Sequence, residues 1–171
     1  MGNSDRVRLS QVLREAEGYL ELELPRRALD TLAKLPTQMQ SSTHALYLKG
    51  EALRELERYQ EALEPLRQAA DQDPENIHVQ LALGWCYKRT EQLDEAIHSL
   101  EMALESDPAE ALVLYNLACY WSLNRNKEKA LDFLSRALRL DGKYRDLIGD
   151  EPDFDPIRSD SDFQELTSII V

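Results

Sequence analysis

The sequence predicts an all-α array of antiparallel helix hairpins, closed at its C-terminal end by helical capping segments. Three observations predict it. Residue columns recur along the chain at a step of 34 residues. Within each copy, apolar residues fall three and four positions apart, the spacing of one helix face. Breaks rich in polar and turn-forming residues divide each copy into two such stripes.

The columns are clearest from Leu81 to Pro108. Gly84, Tyr87, Ala96, Leu100, Ala103 and Pro108 fall, one step earlier, on Gly50, Leu53, Ala62, Leu66, Ala69 and Pro74. One step later they become Ala118, Trp121, Ala130, Leu134, Ala137 and Gly142, and a fainter copy runs through Ala16, Tyr19, Ala28 and Leu32. Within a copy, Leu81, Gly84, Trp85 and Lys88 mark a first helix from Ile77 to Arg89. After the break "RTEQ", Leu93, Ala96, Ile97, Leu100 and Leu104 mark a second. Small residues such as Gly84 and Ala96 let two helix axes approach, while Tyr87 and Leu100 fill the space beside the crossing. The domain reading is a disordered stretch over 1–8 and an array over 9–142, then a helical cap and acidic tail over 143–171. The array divides into a degenerate copy at 9–42 and good copies at 43–76, 77–110 and 111–142.

Helix starts are read at Asp73-Pro74 and Asp107-Pro108, a capping carboxylate followed by a proline with no amide hydrogen to leave unpaired. Asp107 with Glu110, and Ser161 with Gln164, have capping-box spacing, and Asp155-Pro156 reads as the start of a short turn. Pro65 falls inside the helix that begins near Tyr59, where it removes the bond to the Glu61 carbonyl and is expected to bend the axis. The tail carries Leu147, Ile148, Phe154, Ile157, Phe163, Leu166 and Ile169, enough apolar surface to cover the last helix of the array.

These columns resemble the tetratricopeptide repeat over residues 9 to 142. The first copy departs from the pattern at Glu15, Leu35 and Gln40. The resemblance implies a right-handed superhelix whose first helices line a concave groove. It also implies a non-enzymatic interaction module, an adaptor that holds a peptide or helix of another protein. The stretches "YNLACYWSL" and "PDFDPIRSDSDF" resemble the closing segment of bacterial members, which implies such a source.

In that frame the fifth, ninth and twelfth residues of each copy point into the groove, because steps of four and three keep them on one stripe. They are Leu13, Glu17 and Leu20; Tyr47, Glu51 and Arg54; Leu81, Trp85 and Lys88; Tyr115, Cys119 and Ser122. Tyr47, Leu81, Trp85 and Tyr115 form a run of large apolar groups, the material of interaction hot spots. The alternative is that the tail folds back and covers them, which the sequence leaves open. Arg54 and Lys88 share a column and form a basic pair able to receive a partner carboxylate, unless neighbours such as Glu51 and Glu91 already occupy them. The Lys and Asn positions of the clamp that holds acidic chaperone C-termini read Tyr47, Glu51, Ala82, Leu112 and Asn116, or one copy earlier Leu13, Glu17, Leu48, His78 and Ala82. The clamp is absent in both registers.

Composition narrows the other classes. With 32 acidic against 20 basic residues the net charge is −12, which repels phosphate backbones, so no nucleic-acid partner is expected. No segment has the length and apolarity of a membrane span or signal peptide, and Gly2 lacks the Ser or Thr that a myristoylation pattern wants where Arg6 stands. Cys86 and Cys119 are too few for a disulfide framework or zinc site and fit a reducing, cytoplasmic compartment. No cofactor and no metal are expected, although His44 and His78 share a column. An enzyme built on His78, Cys86 and Cys119 is the rival class; it lacks a base held against a thiol. Within the interaction class the alternative is assembly or self-association through the convex face or the tail.

Overall fold

The computed structural model describes residues 2–168, and every regular element among them is helical. Four hairpins follow one another: α1 (Asn3–Glu21) with α2 (Pro25–Leu32), α4 (Thr43–Glu55) with α5 (Tyr59–Gln72), α6 (Ile77–Arg89) with α7 (Leu93–Ser106), and α8 (Ala111–Leu123) with α9 (Lys127–Leu140). A single turn, α3 (Thr37–Gln40), links the first two hairpins. A 3-10 turn (Gly142–Tyr144) then leads through α10 (Arg145–Ile148) and a second 3-10 turn (Pro152–Phe154) to α11 (Ser161–Ser168).

The small-residue columns lie where the hairpins cross. A Cβ placed on Gly50 would meet Leu66 Cγ at 2.4 Å; one on Gly84 would meet Leu100 at 3.1 Å and the Ala96 carbonyl oxygen at 3.3 Å. Ala62, Leu66, Ala96, Leu100, Ala130 and Leu134 are fully buried against these crossings. Tyr87 joins the second and third hairpins, its hydroxyl accepting from Arg67 Nε at 2.8 Å.

All four hairpins turn in the same way. Glu23, Glu57, Glu91 and Arg125 each adopt positive φ, between 56° and 62°. The following amide reaches back to close the helix: Leu24 donates to the Tyr19 carbonyl at 2.8 Å, while Arg58, Gln92 and Asn126 donate to Leu53, Tyr87 and Trp121 at 2.9 Å. This is the Schellman arrangement, with an ordinary residue where glycine is usual. It recurs in the first copy as faithfully as in the others.

Several local expectations are corrected. The helix starts are one turn later than the Asp-Pro pairs: Asn76 caps α6 through the Val79 amide, and Glu110 caps α8 through the Leu112 amide. Asp73 instead closes the end of α5, and Asp107 accepts from the Ala109 amide inside the connecting turn. A proline two residues before the cap shapes that turn rather than the helix. Asp160, not Ser161, accepts the Gln164 amide through its carbonyl at the head of α11. The tail has one short turn set by Glu151 and Pro152, and a further one opens at Asp155-Pro156, where the Arg158 amide donates to the Asp155 carbonyl at 3.4 Å. Helix α1 begins at Asn3, so the stretch read as disordered is helical from there. The Gly2 amide donates to the Asp5 carboxylate at 3.1 Å at its start. Helix α5 continues unbroken through the buried Pro65. In the first copy α2 has eight residues against fourteen in α5, α7 and α9, and Gln40 reaches back to the Leu35 carbonyl at 2.7 Å in place of the missing turn.

Candidate functional site, the concave face

Helices α1, α4, α6 and α8 place the stripe read from the sequence along one face, but the stripe is not uniformly open. Its C-terminal part is covered by the chain's own tail. Tyr144 stacks on Tyr115 with ring centroids 4.7 Å apart, and Phe154 meets the same ring edge-on at 5.8 Å. Tyr115, Cys119 and Ser122 are left 4%, 2% and 0% exposed. These three predicted site residues are therefore core residues. The tail is held in turn by Arg158, which donates to the Ile148 and Glu151 carbonyls at 3.1 and 2.6 Å. Lys127 adds a bridge between Asp160 and Asp162 at 3.0 and 2.9 Å. Ile148, Phe154, Ile157 and Phe163 are buried, Leu147 is exposed, and Ile169 lies outside the described residues.

The basic pair does not form a shared site either. Arg54 donates bidentately to Glu51 at 2.8 and 2.9 Å, and Lys88 donates to Asp153 of the tail. Each cation met the nearer acid: one a single turn away on its own helix, the other delivered by the returning tail. Lys88 also lies 5.9 Å from the ring centres of Trp85 and Tyr120.

The open part of the face spans the second and third hairpins. Tyr47, Leu81, Trp85 and Leu112 line a cleft of about 300 Å³ together with Glu51, Arg54, His78, Ala82 and Asn116. Trp85 is 39% and Leu112 41% exposed. Burial beside Glu51 pushes the Tyr47 hydroxyl up to about 12, so it stays a donor across the physiological range. Towards the N-terminus Leu13 is buried and Glu17 accepts from His44 at 2.7 Å. Reading the stripe at three positions per copy missed His78, Ala82, Leu112 and Asn116. Their signal was in the sequence, in the columns that the chaperone-clamp comparison had already aligned.

The rival enzyme's two cysteines, Cys86 and Cys119, are buried and free. Burial raises both thiols, Cys86 to about 12 and Cys119 well above its ordinary value, with Glu151 and Asp153 adding to the second. Neither thiol is poised as a nucleophile. Among the described residues, Cys119, Glu151 and Asp153 are the set of three ligand-type groups lying within 4.8 Å of one another. The Lys88 ammonium already supplies a cation to that set through Asp153. No helix among the described residues is long and apolar enough to cross a membrane.

Two family models, both of the tetratricopeptide repeat, match residues 13–77 and 53–118. The chain belongs to the tetratricopeptide-repeat family. Solved structures of the same repeat type share the fold. MamA is 20% identical over 81% of each chain with a TM-score of 0.73. A MamA fragment from Desulfovibrio magneticus RS-1 is 21% identical over 98% of this chain and 96% of that one, with a TM-score of 0.75. YrrB, described as a tetratricopeptide protein with an unusual peptide-binding site, is 24% identical over 83% of this chain and 72% of its own, with a TM-score of 0.70. No curated protein matches the chain. Tetratricopeptide repeats are protein-interaction units, and membership of the family makes the chain an interaction module at that level.

Proposed function

We propose that the chain is a non-enzymatic adaptor that holds a peptide or helix of another protein in the open half of its concave face. One observation carries the reading. Trp85 and Leu112 stand exposed side by side over Leu81 and Tyr47, while the continuation of the same stripe is sealed by the tail. A protein that covers one apolar part of a groove and leaves the adjoining part open has an unpartnered contact surface there. Large aromatic and aliphatic groups ringed by Glu51, Arg54 and Asn116 have the make-up of an interface centre with a polar rim. The peptide-binding site ascribed to YrrB supports the reading at the level of the fold. The site residues are accordingly Tyr47, Glu51, Arg54, Leu81, Trp85 and Leu112; Lys88, paired with Asp153 of the tail, lies outside the open cleft.

The test compares partners captured from source lysate by the wild-type chain and by Trp85→Ala combined with Leu112→Ala, circular dichroism confirming that both are folded. Loss of one dominant partner is the expected result. An unchanged set of partners would move recognition to the convex face or the tail.

A further inference from the structure

The tail shows what the concave face accepts. Asp153 places its carboxylate on Lys88, the twelfth residue of the third copy, and Phe154 places its ring on Tyr115, the fifth residue of the fourth. Moving back by one 34-residue step, Lys88 becomes Arg54, Tyr115 becomes Leu81 and Cys119 becomes Trp85. Those three residues line the open cleft. The same layout, a cation beside an apolar platform, is thus present twice, filled once by the tail and once facing solvent. Arg54 spends two of its five N–H donors on Glu51, so its guanidinium retains donors for a second carboxylate.

We propose that the occupant of the cleft is a partner segment in which an acidic residue directly precedes an aromatic one. It is seated as Asp153 and Phe154 are, one repeat nearer the N-terminus. Its carboxylate lies on Arg54 and its ring on Leu81 and Trp85. The inference rests on the cleft being the recognition site. It differs from the chaperone clamp, whose residues are absent, because a single carboxylate and an internal aromatic suffice.

The probe is a synthetic peptide with the sequence of residues 149–158, titrated into the full chain by calorimetry and tryptophan fluorescence. Saturable binding at one site is expected. Peptides carrying Asp153→Asn or Phe154→Ala should each bind at least about tenfold more weakly, as loss of a charge-assisted bond or a buried ring requires. In the chain, Arg54→Gln should weaken binding at least about fivefold, and Lys88→Gln should leave it unchanged. Absence of saturable binding, equal binding of the altered peptides, or sensitivity to Lys88→Gln in place of Arg54→Gln would overturn the inference. If the peptide fails while partner capture still depends on Trp85 and Leu112, only the occupant's chemistry is wrong. If capture is independent of them as well, the cleft itself is not the site.

Discussion

Removing Phe154 should open the sealed half of the groove and nothing else. Its ring is fully buried, edge-on to Tyr115 and 5.5 Å from the Phe163 ring centre. Phe→Ala at such a site costs about 3–5 kcal/mol. The tail packs on the fourth hairpin and reaches Lys88 of the third, so this cost falls on tail docking rather than on the hairpins, which are stabilised by their own neighbours. Cys119 reports the event, because Glu151 and Asp153 of the tail lie against its thiol. Each 1.4 kcal/mol changes an opening equilibrium by about tenfold, so Phe154→Ala should raise the reaction rate of Cys119 with a maleimide by roughly a hundredfold or more. Cys86, buried among the second and third hairpins, is the internal control and should remain protected. A Cys119 as slow as in the wild type, or two cysteines that accelerate together, would rule out a tail held by Phe154.

Other outcomes follow from the same geometry. Gly50→Ala should destabilise by about 1–3 kcal/mol, since its Cβ overlaps the fully buried Leu66. Gly84→Ala, whose contacts need only a few tenths of an ångström, should be close to neutral because the gain in helix propensity offsets the crowding; paired urea titrations separate them. Glu57→Gly and Glu91→Gly should each stabilise by about 0.5–1 kcal/mol in thermal unfolding, relieving a left-handed conformation at exposed turn residues. Stability should fall at alkaline pH. Cys86 and Cys119, and then Tyr47, Tyr115 and Tyr120, are all raised by burial. The unfolded chain therefore loses protons first, above about pH 8.5 for the thiols and 10 for the phenols, with a slope of about 1.4 kcal/mol per pH unit per group. Denaturant midpoints that stay flat from pH 8 to 10.5 would contradict those burials.

The array was legible because its determinants are periodic. Gly50, Gly84 and Ala118 must be small for the helices to cross, and a requirement repeated at fixed spacing is visible in one sequence. The hairpin turns were not legible, although they repeat just as strictly. Glu23, Glu57, Glu91 and Arg125 carry no glycine to mark positive φ, and only the backbone reveals them. The helix starts were misplaced because aspartate before proline fits both a cap and the turn ahead of a cap. The site divided along the same line. Leu81, Trp85 and Tyr47 follow from the repeat, whereas the burial of Tyr115, Cys119 and Ser122 depends on a non-periodic tail whose path no spacing encodes. Arg54 and Lys88 show the limit of column reasoning: equivalent positions on the array found different acids, Glu51 from the same helix and Asp153 from across the chain.

On the proposed function, recognition occupies the open half of the concave face. Amide chemical-shift mapping of the full chain against its captured partner tests it most directly. The perturbed residues should cluster at Tyr47, Arg54, Leu81, Trp85, Leu112 and Asn116, with the amides of α5, α7 and α9 unmoved. Perturbations centred on those outer helices or on α11, with the Trp85 and Leu112 signals unchanged, would contradict it.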